Sequence, residues 1–269
     1  MKHGIILIGV LIGTFTLQAQ QADYLFEQNI EYREGEAQQN CPRCVLDVYA
    51  PKHSGFATIV WFHGGGLTSG NKELPEGIKG KGIAVVSPNY SFYPDVKVPG
   101  YIDDAAAAVA WVFKNIESFG GDPDKIFISG HSAGGYLASM VGLDISYLQK
   151  YGVNANQIAG LIPFSGHTIT HFTVRQEYGM PGEQPLIDQY APLFHVRADA
   201  PPLLLITGDR EMEMLGRYEE NAFMMRMMKV AGHTNTRLME LDGYGHGMVY
   251  PAIPILLREV EHVVSMMEK

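Results

Sequence analysis

The chain has 269 residues, 46% of them hydrophobic, which suits the core of one large α/β domain, and a formal charge of -9 at pH 7. That charge leaves no basic face for nucleic acid and makes a flat anionic membrane a poor partner. No Pro-, Gly- or Ser-rich run divides the chain, and it carries no internal repeat.

Lys2 and His3 precede an apolar run from Ile5 to Leu17, followed by Gln18-Ala19-Gln20-Gln21. This reads as a secretory signal peptide over residues 1–19, cleaved after Ala19. The apolar run is short for a bilayer span, and no Cys stands at the cleavage region to accept a lipid. The expectation is an exported protein, periplasmic or secreted, with no membrane span after cleavage and residues 20–269 forming a single domain.

Tyr24 to Arg33 and Val45 to Tyr49 read as an antiparallel edge hairpin joined through a polar turn at Glu34 to Asn40. Within it lies Cys41-Pro42-Arg43-Cys44. A zinc site would need two further ligands and there is no second cysteine pair. In an oxidising compartment a local Cys41–Cys44 disulfide is the plain reading, and no metal site is expected.

Ala57 to Phe62 is a buried strand that ends directly in His63-Gly64-Gly65-Gly66, and Ile83 to Ser87 is the next. Asp103 can cap an Ala-rich helix running from Asp104 to about Ser118, with Val109, Val112, Phe113 and Ile116 on its inner face. A short strand, Ile126 to Ile128, then stops at Gly130-His131-Ser132-Ala133-Gly134, and a helix follows to about Gln149. Ile158 to Phe164, Leu203 to Thr207 and Thr236 to Leu241 are further strands. Helices are expected over 216–230 and 253–267, the first methionine-rich. Six apolar strands alternating with helices predict an α/β fold, a mostly parallel central sheet with helices on both faces. Residues 165–200 are irregular and rich in His, Tyr and Pro, as a variable pocket wall would be.

Gly-x-Ser-x-Gly between a strand and a helix is the setting of a nucleophile elbow. Glycine at 130 and 134 lets the turn pass close to its neighbours, and Ser132 is lifted above the sheet. The Ala133 N–H opens a helix and faces any anion formed beside Ser132. Gly64 and Gly65 offer further N–H groups that can converge on the same oxyanion. Two more loops lie beyond strand ends, an acidic one at Asp209 to Glu211 and one at Gly245-His246-Gly247. Open α/β sheets place their sites at that edge. The order Ser, acid, His is that of a serine hydrolase of this topology.

On these residues the chain resembles the α/β-hydrolase superfamily, in its hormone-sensitive-lipase-like and carboxylesterase branch that includes acetylxylan and feruloyl esterases. The resemblance rests on His63-Gly64-Gly65-Gly66, Asn89-Tyr90, Asp103-Asp104, Gly121-Asp122-Pro123-Asp124-Lys125-Ile126, Gly130-His131-Ser132-Ala133-Gly134-Gly135, Pro201 to Gly208, and Gly245-His246-Gly247. It implies the α/β-hydrolase fold and hydrolysis of carboxylic esters without a cofactor. It implies Ser132 as nucleophile, His246 as base, and Gly64, Gly65 and Ala133 as oxyanion donors. The acid is carried over to the third residue past Gly208, Glu211, with Asp209 as the alternative. Ser91 follows Asn89-Tyr90 where many relatives have Arg, so an ion pair common among them is not expected from that position.

The spare histidines His131, His167, His171, His195 and His233 have no counterpart in that pattern. His131 is read as packing beside the nucleophile, and His167 and His171 as surface histidines near the pocket. The substrate expected is a small-molecule or carbohydrate-linked acyl ester. A lipase or peptidase of the same fold and a catalytically silent binding protein are the alternatives. The polar 165–200 segment speaks against an oil-facing cap, and the strained elbow against a silent scaffold.

Overall fold

The structure, a computed structural model, describes residues 23–268. The expected signal peptide at 1–19 lies outside the described residues. Eight strands form one sheet: β1 (Tyr24–Glu31), β2 (Val45–Pro51), β3 (Phe56–Phe62), β4 (Ala84–Pro88), β5 (Gly121–His131), β6 (Gly160–Phe164), β7 (Leu203–Gly208) and β8 (Thr236–Leu241). Their order is β1-β2-β4-β3-β5-β6-β7-β8. β1 pairs antiparallel with β2, and β2 antiparallel with β4, while β4-β3-β5-β6-β7-β8 are parallel. The expected mostly parallel sheet with an N-terminal antiparallel hairpin is what forms.

Strand pleating sends alternate residues to opposite faces, so a sheet covered on both sides must be apolar throughout. All seven residues of β3 are buried. Val60 and Phe62 join one core with helices α2 (Gly100–Asn115), α3 (Ala133–Leu143) and α6 (Arg217–Val230). Ile59 and Trp61 join the other with α7 (Val249–Met267). Leu203 and Leu205 divide from Leu204 and Ile206 in the same way. No helix among the described residues is long and apolar enough to cross a membrane.

The hairpin connection contains a short helix, α1 (Gly35–Gln39), and a disulfide joins Cys41 to Cys44 with their Cα atoms 5.3 Å apart. α2 begins at Gly100, so Asp103 lies in its first turn and does not cap it. Both carboxylates are instead turned to Arg33, two residues past the end of β1. Its Nη2 lies 2.6 Å from Asp104 Oδ1 and 2.9 Å from Asp103 Oδ2. The Ser91 N–H donates to Asp104 Oδ2 at 3.0 Å. Asp104 thus holds both Arg33 of the edge hairpin and the backbone at position 91, and the Cys41 sulfur lies 3.3 Å from the Ser91 hydroxyl.

Between β6 and β7 the chain forms two further short turns of helix, α5 (Phe172–Glu177) and a 3-10 turn at Pro192–His195, with α4 (Ile145–Gln149) preceding β6. His167 and His171 are buried there, contrary to the surface reading. Burial is tolerated because Glu220 on α6 accepts from His167 Nδ1 at 2.8 Å and from Arg217 Nε at 2.9 Å. His171 Nδ1 accepts the Thr173 N–H at 3.2 Å, capping α5.

Candidate active site

Four loops meet at the C-terminal edge of the parallel strands. β5 ends at His131, Ser132 follows, and α3 begins at Ala133. Ser132 has φ 57° and ψ -116°, a conformation that costs a non-glycine residue on the order of 1–3 kcal/mol. Neighbouring backbone holds it there: Ser132 N–H donates to the Phe164 carbonyl at 2.8 Å, and Tyr136 N–H to the Ser132 carbonyl at 3.0 Å. The flanking glycine at 134 is a steric requirement. A methyl there would stand 2.1 Å from the Phe62 carbonyl oxygen.

The loop after β8 brings His246 to the elbow, its Nε2 2.9 Å from Ser132 Oγ. On the other side of the ring, Nδ1 lies 2.5 Å from Glu213 Oε1. The carboxylate fixes the tautomer with the proton on Nδ1, leaving Nε2 as the acceptor facing the Ser132 hydroxyl.

The acid expected at Glu211, or alternatively Asp209, is a correction: the carboxylate on His246 belongs to Glu213. Asp209 is half-buried, and its two oxygens accept the N–H groups of Glu211 and Gly243, each at 2.9 Å. It ties the exit of β7 to the exit of β8, and those N–H bonds, Gly243 first, lower its pKa. Met212 N–H and Glu213 N–H then both donate to the Asp209 carbonyl, at 2.9 and 2.7 Å. The chain curls after Asp209, leaving Glu211 exposed and turning Glu213 inward. Counting from Gly208 misses that extra turn, and alternation of acids with methionines over 211–214 offers no signal to separate the two glutamates.

Glu213 Oε2 accepts from the Ser165 hydroxyl at 2.6 Å and the Gly208 N–H at 3.1 Å, and Oε1 also accepts the Met214 N–H at 2.9 Å. Burial alone would raise its pKa. The bonds from His246, Ser165 and Met214 outweigh that and bring it down to about 2. Sequence reading did not single out Ser165. Its φ of 45° marks another strained backbone position, directly after β6.

Gly64 follows β3 and lies against the elbow, where a methyl would come within 3.5 Å of Ser132 Cβ. Gly65 takes φ 114°, and a side chain there would strike the Ser69 carbonyl oxygen at 2.0 Å. Glycine is therefore the residue this loop accepts at 65. The Ala133 N–H belongs to the first turn of α3. Gly64 and Ala133 thus flank Ser132 from two sides, with Gly65 next in the loop.

His131 donates from Nε2 to the His246 carbonyl at 2.7 Å, so it packs beside the elbow and braces the histidine loop. Burial first, then the neighbouring His246, push its pKa down to about 4. His233 is held between Thr236 Oγ1 and the Ala200 carbonyl, and His195 donates to the Gln189 carbonyl. Neither of these two joins the Ser132 cluster in the contacts it makes. Cys41, Cys44 and the Asp104 carboxylate lie together on the hairpin side, but the two sulfurs are bonded to each other and Asp104 is taken by Arg33.

The family model BD-FAE matches residues 46–168 of the chain. The curated protein "Probable carboxylic ester hydrolase LipM" of Mycobacterium tuberculosis is 30% identical over 215 residues, 69% of this chain and 48% of that protein. "Esterase LipQ" of the same organism is 32% identical over 188 residues, 61% of this chain and 42% of that one. The chain spans about half the length of the curated relatives it matches. Among solved structures, a truncated form of a carbohydrate esterase from gut microbiota superposes with a TM-score of 0.75 at 17% identity, covering 90% of this chain and 96% of that one. Esterase B of Lactobacillus rhamnosis superposes with a TM-score of 0.73 at 20% identity, over 95% of both chains. At such identities the structural likeness concerns the fold.

Proposed function

Because the chain belongs to the α/β-hydrolase superfamily, with relatives of carboxylesterase type, we propose that it is a serine carboxylic-ester hydrolase, exported, acting on small or carbohydrate-linked acyl esters. The observation that carries the reading is the position of one imidazole. His246 bridges Ser132 Oγ and a fully buried carboxylate, 2.9 Å on one side and 2.5 Å on the other.

In this reading His246 Nε2 takes the Ser132 proton as Oγ attacks the ester carbonyl. The carbonyl oxygen becomes an oxyanion and is met by the N–H groups of Gly64, Gly65 and Ala133. Loss of one such donor typically costs roughly 10²–10³ in kcat. The imidazolium, stabilised by Glu213, then gives its proton to the departing alkoxide, leaving an acyl-Ser132 ester. Water enters, His246 takes one of its protons, the second tetrahedral species collapses, and Ser132 regains its proton as the acid leaves. Glu213 stays ionised throughout, in keeping with its lowered pKa.

Export is supported by the charged, apolar and small-residue succession of residues 1–19, and agrees with a disulfide at Cys41–Cys44. The carbohydrate-linked substrate is supported by the sequence resemblance to acetylxylan and feruloyl esterases carried by His63 to Gly66 and Gly130 to Gly135. A panel of p-nitrophenyl acetate, p-nitrophenyl palmitate, methyl ferulate and acetylated xylan tests the reading. Turnover of the acetyl esters, with little on palmitate, is the expected outcome. No turnover of any of the four would count against an ester hydrolase.

A further inference from the structure

Arg43 stands between the two bonded cysteines and reaches across to the loop that carries Gly64 and Gly65. Its Nε donates to the Tyr90 carbonyl at 2.9 Å, and its Nη2 to the Gly70 carbonyl and to Asn89 Oδ1, each at 3.2 Å. The guanidinium carbon lies 3.9 Å from the centre of the Phe92 ring. One planar fork thus grips two segments at once, the exit of β4 and the far end of the glycine loop.

Both gripped residues press on the near end of that loop. Gly70 has φ 111°, and a methyl there would stand 2.4 Å from His63 Nδ1 and 2.6 Å from the Gly64 carbonyl oxygen. Tyr90 stacks on the His63 ring with centroids 4.4 Å apart, and its hydroxyl donates to the His63 carbonyl at 2.8 Å. Gly70 and Tyr90 therefore both bear on the His63–Gly64 peptide that carries the Gly64 N–H, and both accept from Arg43. The root of Arg43 is held as well. The Cys41–Cys44 disulfide closes a four-residue ring around it, Cys44 N–H donates to the Cys41 carbonyl at 2.9 Å, and Val45 N–H to the Arg43 carbonyl at 2.7 Å. Fixing the root lowers the entropy lost when the long side chain is ordered.

We propose that Arg43 is a positioning residue for the oxyanion loop, acting through Gly70 and Tyr90, and that the Cys41–Cys44 disulfide holds it in register. The consequence for turnover rests on the hydrolase reading above; the effect on the loop does not.

Amide hydrogen exchange over residues 63–72 and steady-state kinetics on p-nitrophenyl acetate are measured for the parent, Arg43→Ala, Arg43→Lys and the double variant Cys41→Ser, Cys44→Ser. Arg43→Ala should speed exchange in 63–72 while leaving β5 and β6 unchanged. Its kcat should fall about 10- to 100-fold, the size expected when a reacting group is misplaced by a fraction of an ångström to an ångström, with KM within about twofold. A boronic acid inhibitor, whose serine adduct presents an oxygen to the same N–H groups, should weaken by the factor lost in kcat. Arg43→Lys, a single ammonium in place of a fork, should fall between parent and Ala, and the cysteine variant should move in the same direction by less. Unchanged exchange in 63–72 overturns the proposal, as does raised exchange with unchanged kcat. If Arg43→Ala does not fold, Arg43→Lys decides by the same readings. An inactive parent counts against the hydrolase reading, and the exchange result still decides whether Arg43 holds the loop.

Discussion

Glu213 Oε1 and His246 Nδ1 lie 2.5 Å apart across two loops that leave neighbouring strands, and the carboxylate behind that contact is wholly buried. Three further donors, the Ser165 hydroxyl and the N–H groups of Gly208 and Met214, hold it in one orientation. A buried anion so supplied with donors stays charged and keeps its direction.

Glu213→Gln is therefore expected to lower kcat on a small acyl ester by roughly 10²–10⁴-fold, because an amide can present N–H₂ to Nδ1 and favour the wrong tautomer. Glu211→Gln should stay near parental activity. Asp209→Asn should lose stability more than activity, since Asp209 joins two loops through backbone N–H groups. Steady-state kinetics on the three variants decide between them. A large loss in Glu211→Gln with little in Glu213→Gln would contradict the geometry.

Much of this arrangement is legible in the amino-acid sequence. β3, β4, β6 and β7 announce themselves because each is buried on both faces and so reads as an apolar run, β3 most plainly, whereas the edge strand β8 leaves Arg237 and Met239 exposed. Ser132 and the glycines of its turn could be located because close approach of backbone leaves room for nothing larger. The acid could not, because its position depends on a turn of irregular chain after Asp209 that no periodicity encodes. Arg33 was equally hidden. Its partners Asp103 and Asp104 are 70 and 71 residues away, and nothing local links them. His167 and His171 misled for a related reason: polarity suggested the surface, and the compensating Glu220 lies 53 residues from His167.

The buried histidines make stability depend on pH in a stated direction. The His131 pKa is held at about 4 against an ordinary 6.5, chiefly by burial. Between those values the unfolded chain binds a proton that the folded chain does not. Stability from this group therefore falls as pH drops from about 6.5 to about 4 and is flat outside that window. Gln at 131 could still donate to the His246 carbonyl but cannot take up a proton. Urea unfolding of His131→Gln should show a smaller stability loss between pH 7 and pH 4.5 than the parent. His63, likewise lowered to about 4 by burial, leaves the variant some of the dependence. Equal losses in variant and parent would contradict this origin.

Arg33 should matter to stability through Asp104. Both side chains are largely buried, and removing one member of such a pair strands the other. Arg33→Ala is expected to cost about 3 kcal/mol. The double variant Arg33→Ala, Asp104→Ala should be less destabilised than the sum of the two singles. Strict additivity in chemical denaturation would mean that the pair is not coupled.

The most direct test of a hydrolase built on Ser132 is its replacement by Ala, with p-nitrophenyl acetate turnover and covalent labelling by a fluorophosphonate measured side by side. The parent should turn the ester over and take up one label per chain, on Ser132. Ser132→Ala should fold, keep the strands and His246 in place, take up no label, and lose at least roughly 10⁴-fold in kcat, as removal of a triad nucleophile does. Turnover in the folded variant comparable with the parent's, or a label on the parent at a residue other than Ser132, would contradict the account.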